Sequence, residues 1–170
     1  MMRKTLLIGM TAALLMLASE ARAEDDDPTL VVAVGAVGEW ALTENSASHG
    51  ANVFLEFTPI EEWLEVELGA NALYSKNDQK QWETGMLFKI PNTLAEGIEF
   101  AYGIGPQWNR KLGDGEKIDS FGLEAAIELS IWPWEQHRFG WYFEPSYGYD
   151  FGKGREQSFT FSMGLLIGIP

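Results

Sequence analysis

Past residue 28 the chain carries no helical periodicity, and its hydrophobic positions recur instead every second residue. The segment Trp63 to Tyr74 puts Leu64, Val66, Leu68, Ala70, Ala72 and Tyr74 on one face, against Trp63, Glu65, Glu67, Gly69, Asn71 and Leu73 on the other. Phe121, Leu123, Ala125, Ile127, Leu129 and Ile131 alternate in the same way with Gly122, Glu124, Ala126, Glu128 and Ser130. The last segment sets Phe159, Phe161, Met163, Leu165, Ile167 and Ile169 against Ser158, Thr160, Ser162, Gly164, Leu166 and Gly168. Extended along the chain, the pattern predicts eight strands near 29–42, 51–58, 62–74, 82–90, 98–109, 119–132, 139–151 and 158–169.

The connections fall into two alternating kinds. Thr43–Gly50, Ser75–Gln81, Arg110–Lys117 and Gly152–Gln157 are polar, whereas Pro59–Glu61, Pro91–Gly97 and Pro133–Arg138 begin with proline. Eight alternating strands joined in this way predict an all-β, antiparallel, up-and-down barrel with both termini at one end.

Such a barrel can be soluble, with the apolar face inside around a small apolar ligand, or embedded, with that face against lipid. The polar face favours the second. It is rich in Gly, Ala, Ser and Glu, its many glycines being what a narrow eight-stranded interior can hold, and Lys89 is its one lysine. The apolar face is bulky, and its aromatics gather at strand ends. Trp40, Tyr74, Trp82, Trp108, Phe121, Tyr149, Phe151 and Phe159 lie toward the polar loops. Phe57, Phe88, Phe100, Phe139 and Trp141, with Trp132 and Trp134, lie toward the proline turns. Two girdles imply two membrane interfaces, and most strand lengths suit a tilted crossing of about 9–11 residues.

The N-terminus adds an address. Arg3 and Lys4 precede the uncharged run Thr5 to Ala18, and Ala21-Arg22-Ala23 has the small-x-small form of a cleavage site. Residues 1–23 are expected to be a signal peptide, 24–28 an acidic leader and 29–170 the barrel domain. The leader Glu24–Asp27 is most simply a solvated run, with a weak divalent-cation site as the sharper reading. Removal of the signal leaves 9 basic and 24 acidic residues. That balance excludes nucleic acid as a partner, and the absence of cysteine excludes disulfides, thiolate metal sites, thiol nucleophiles and a lipobox anchor.

With these features the chain resembles the small eight-stranded outer-membrane barrels of Gram-negative bacteria, the OmpA/OmpX type. The resemblance lies in strand pattern and covers nearly all of the chain past the signal. It implies a monomer that contacts outer-membrane lipid and is inserted by the barrel assembly machinery. Substrates of that machinery commonly end in an aromatic residue, whereas this chain ends in Ile169-Pro170. Polar connections would then be extracellular and proline turns periplasmic, with no length left for a peptidoglycan-binding domain.

The chemistry is concentrated on the polar face. Glu39, Glu56, Glu65, Glu67, Glu83, Glu99, Glu124, Glu128, Glu144 and Asp150 share it with Lys89. Two charges about 4 Å apart at an effective dielectric near 20 interact by roughly 4 kcal/mol. So many carboxylates must hold protons, share hydrogen bonds or find cations. A hydrogen-bonded polar plug is the expected state, and a narrow cation or proton pathway is the alternative. Pairing Tyr74 with Trp82 and Ile90 with Ile98 would set Lys89 opposite both Glu67 and Glu99, predicting a bridge between them.

No cofactor, metal or catalytic residue is expected. His49 in the first polar connection, near Glu44, Ser46 and Ser48, with Ser75 and Asp78 in the second, looks like the site of the lipid A palmitoyltransferases. Glu124, Glu128 and Glu144 would obstruct the acyl chain such enzymes hold, and no predicted strand carries the histidine used by lipid A deacylases. A structural or protective role is therefore expected over a lipid A-modifying enzyme. Pro106 and Pro145 fall inside strands, where they suggest bulges, or, as the sharper reading, a lateral opening to lipid.

Overall fold

The period-two pattern closes into a ring. The computed structural model describes residue 28 and residues 30–75, 80–113, 116–134, 137–152 and 155–169. The expected signal peptide and acidic leader lie outside the described residues, as does Asp78. The strands are β1 (Leu30–Ala41), β2 (Ser46–Ile60), β3 (Leu64–Ser75), β4 (Lys80–Ala95), β5 (Ile98–Gly113), β6 (Glu116–Ile131), β7 (Phe139–Asp150) and β8 (Gln157–Ile169). Each pairs antiparallel with its chain neighbour, and β8 returns to β1 to close the barrel.

The register sets the shape. Stepping from Glu65 through Lys89, Gly103, Ala126, Ser146, Thr160, Glu39 and Ser48 returns to β3 at Ser75, ten residues further along. Ten residues at about 3.3 Å each, set against eight strands about 4.8 Å apart, tilt the strands by about 40°. Each residue then rises about 2.5 Å along the barrel axis. From Trp141 to Tyr149 on β7 the wall climbs roughly 20 Å, close to the height of a membrane's apolar band.

Alternation assigns the two faces. Large apolar side chains point outward and stay exposed, among them Trp40, Trp82, Tyr102, Ile104, Phe121, Trp141 and Phe159. Phe161 and Leu165 are 40% and 50% exposed, so the reading of a soluble barrel with these residues lining a ligand cavity is overturned. An all-round belt of this kind needs lipid, not water, against it.

Several strands run further than the hydrophobic pattern implied. β2 begins at Ser46, so the first connection shrinks to Leu42–Asn45 and His49 becomes a strand residue. Lys111 likewise lies on β5 and not in a loop. Backbone pairing carries strands past the membrane at no apolar cost, which is why periodicity alone missed these extensions. The β4–β5 turn is tight. Gly97 adopts a positive φ of 69°, and its carbonyl accepts the Trp132 amide at 2.6 Å.

The two in-strand prolines make gaps, not bulges. Pairing stops at Gly85–Gln107 and resumes at Phe88–Ile104 beside Pro106, and stops at Ala126–Ser146 and resumes at Leu129–Phe143 beside Pro145. The register is unchanged across each gap. The bulges lie instead at the terminal end, between Phe57 and Ile60 and between Thr93 and Ala95.

Candidate functional site: the barrel interior

Inward positions from all eight strands converge on a narrow axis, and polar partners arrange themselves there by level. Near the loop end Gln81 donates to Glu83 at 2.7 Å and to Glu39 at 3.3 Å, while Asn71 donates to Glu83 at 2.9 Å and Ser48 to Glu39 at 3.2 Å. Asp150 accepts from Ser120, from Asn109 at 3.4 Å and from the Gly152 amide at 2.7 Å. Glu124 accepts from Ser146 at 2.6 Å. Between these groups lies a cavity of about 30 Å³, room for about two waters, with Asn71, Glu83, Glu124, Ser146, Glu67 and Glu144 in its lining.

Below the cavity the Lys89 ammonium, 1% exposed, is held by Glu56 at 2.8 Å, Glu67 at 2.5 Å, Glu144 at 3.4 Å and Glu128. Glu128 also accepts from Ser130. The carboxylate oxygens of Glu56, Glu67 and Glu128 lie within 4.8 Å of one another. That grouping would suit a metal cation, and the cation it surrounds is the lysine's own. Glu67 and Glu144 turn their buried Oε2 atoms to this ammonium, and both residues also line the cavity.

The other side of this level is apolar. Val31, Ala33, Phe54, Tyr142, Leu166 and Trp132 form a buried cluster. Phe54 and Tyr142 meet edge to face, with ring centroids 4.9 Å apart, and Lys89 Nζ sits 5.3 Å from the Phe54 centroid. Tyr142 donates its hydroxyl to Asn52 at 2.8 Å. Gly35 and Gly164 pair across β1 and β8 and clear the space Tyr142 fills; a Cβ on Gly164 would stand 2.9 Å from its ring. The terminal half of the interior is thus closed by an ion-paired knot and an aromatic cluster side by side.

No family model matches the chain, and no curated protein matches it. Solved structures do. Neisserial surface protein A is 15% identical with a TM-score of 0.70, over 83% of this chain and 97% of that one. OprG from Pseudomonas aeruginosa is 11% identical at 0.61, over 83% and 95%, and Ail of Yersinia pestis is 13% identical at 0.56, over 83% and 98%. The fold is that of the small eight-stranded outer-membrane barrels.

Within that frame the structure brings Glu56, Glu67, Glu128 and Glu144 onto Lys89, places Glu124 above them, and separates Glu99 from the expected bridge. Register sets Lys89 opposite Glu65 and Gly103, and Glu99 opposite Thr93 and Ser130. Glu99 accepts the Trp132 indole N–H at 3.0 Å. Trp132, expected in the lower girdle, is buried at the barrel's terminal mouth, while Trp134 remains exposed. The aromatic cluster was missed in the sequence, although Phe54 shares the parity of Asn52 and Glu56 and so faces inward with them.

The palmitoyltransferase-like grouping comes apart. His49 stands opposite Gly38 and Tyr74 on the outer face, while Ser48 turns inward to Glu39. The barrel wall divides the histidine from the hydroxyl. The premise that no strand bears a histidine is also corrected, since β2 carries His49.

Proposed function

We propose that this protein is a monomeric, integral outer-membrane barrel with a structural or protective role, no enzymatic activity and an interior closed to steady ion flow. The supporting observation is the Lys89 knot, which packs against Phe54 and Tyr142 and leaves only room for isolated waters above it. An eight-stranded interior is filled by side chains in general. Here the filling carries its own counter-ion. The outward belt meets outer-membrane lipid on all sides, so delivery by the barrel assembly machinery follows from the same reading.

Planar-bilayer recordings test the closure. The expected result is no steady conductance. Cation-selective currents that fall in Glu124→Gln and Glu128→Gln would replace the plug with the alternative, a narrow cation or proton pathway along the acidic lining. Membrane fractionation with heat-modifiable gel mobility tests location, and recovery in the soluble periplasm would contradict it.

A further inference from the structure

Basic residues are unevenly placed on this acidic protein. Among the described residues, Lys80, Arg110, Lys111, Lys117 and Arg155 lie at the loop end, Lys89 is interior, and Arg138 alone stands at the terminal end, whose turns also carry Glu61, Glu62 and Glu96. Three of the loop-end bases share one stretch of outer wall. Lys80 on β4 pairs with Leu112 on β5, which pairs with Lys117 on β6, and one step nearer the membrane Trp82 pairs with Arg110, which pairs with Asp119. By alternation Lys80, Arg110 and Lys117 project outward, and neighbouring strands about 4.8 Å apart keep them within roughly 10 Å of one another.

The cluster sits on the aromatic girdle. The Arg110 guanidinium lies 4.5 Å from the Trp108 ring centroid, so its plane is held at the apolar boundary. Asp119 meets Arg110 at 2.6 Å and Lys117 at 3.6 Å, and the Arg110 hydrogen bond holds its carboxyl below the usual range. Asp119 therefore stays charged and orients the two bases, leaving two net positive charges in the cluster. Lys111 is spent elsewhere, turned into the mouth onto Glu156 and Glu44.

Resting on the outer-membrane reading above, we propose that Lys80, Arg110 and Lys117 form a binding site for the phosphate of a phosphorylated glycolipid headgroup in the leaflet at the loop end. The acyl chains of such a lipid would lie along the apolar wall below, over Trp82, Trp108 and Phe121, while its phosphate reaches the bases. Arginine and lysine at a membrane boundary favour anionic headgroups, and the girdle sets the depth at which the phosphate is met.

Native mass spectrometry of the refolded full barrel in detergent, with bis-phosphorylated lipid A as probe, tests the site. Wild type is expected to bind this lipid and to bind its dephosphorylated form at least about tenfold more weakly. The triple variant Lys80→Gln, Arg110→Gln, Lys117→Gln should lose the preference, whereas Arg138→Gln at the opposite end should keep it. Inorganic phosphate at equal concentration should not displace the lipid; displacement would assign the site to free phosphate and overturn the proposal. Equal wild-type affinity for both lipids would also overturn it, without reference to any variant's folding. Fractionation reports separately on location, so a barrel in the outer membrane that ignores the phosphate refutes this site alone.

Discussion

Replacing Lys89 with methionine removes the one cation in the interior knot while nearly preserving its volume. The ammonium has carboxylates of Glu56, Glu67 and Glu144 at 2.8, 2.5 and 3.4 Å, and Glu128 as well. Without it, carboxylates within 4.8 Å of one another face each other unscreened. At an effective dielectric near 20, each ionised pair at that distance repels by about 3.5 kcal/mol. Breaking a buried ion pair from one side ordinarily costs about 3–5 kcal/mol, and Lys89→Met should reach at least that range. Lys111→Met is the control: its side chain is 26% exposed at the mouth, where such pairs contribute about 1 kcal/mol or less. Urea unfolding of the refolded barrel, followed by tryptophan fluorescence, reads both midpoints. Adding Glu128→Gln to Lys89→Met should recover part of the loss, because one repelling charge goes with the lysine. Equal midpoints for Lys89→Met and Lys111→Met would refute the reasoning.

Other expected outcomes follow from the same geometry. Gly164→Val should destabilise by about 1–3 kcal/mol or block refolding, since its side chain enters the space of Tyr142, whereas Gly38→Val, which meets nothing within 4 Å, should leave the urea midpoint unchanged. Leu165→Arg places a charge on the exposed lipid face and should cost about 2–4 kcal/mol in lipid vesicles, with a smaller effect for Phe159→Arg on the same face of β8 at the girdle, near the interface. Tyr142→Phe removes the hydroxyl donated to Asn52 but keeps the ring against Phe54, so the loss should stay near 1 kcal/mol by the same unfolding assay.

The faces of the barrel were legible in the sequence; its register was not. Parity along β3, β6 and β8 was enough to put Glu67, Glu124 and Gly164 inside and Leu68, Leu123 and Leu165 outside. A slip of two residues preserves every face, so pattern cannot detect it. The β3–β4 pairing is slipped in just this way, with Glu65 and not Glu67 opposite Lys89. The lysine's long stem still reaches Glu67, while the β4–β5 pairing leaves Glu99 at a different level. Trp132 was legible by the same parity: it continues the even positions of Glu128 and Ser130, so it turns inward with them and not into the girdle. The convergence of Glu128 and Glu144 on Lys89 joins strands that are not chain neighbours of β4, and arises only when the sheet closes.

In a membrane barrel of this register the apolar face of β8 meets lipid and its polar face fills the interior. The chain has no cysteine, so single cysteines can be placed along β8 from Phe159 to Ile167 and spin-labelled in lipid vesicles. Labels at 159, 161, 163, 165 and 167 should collide readily with oxygen dissolved in the bilayer, and labels at 160, 162, 164 and 166 should be shielded from it. A strict two-residue alternation of that sign is the predicted result. The opposite phase, or accessibility to a water-soluble relaxant at the odd positions, would contradict the account.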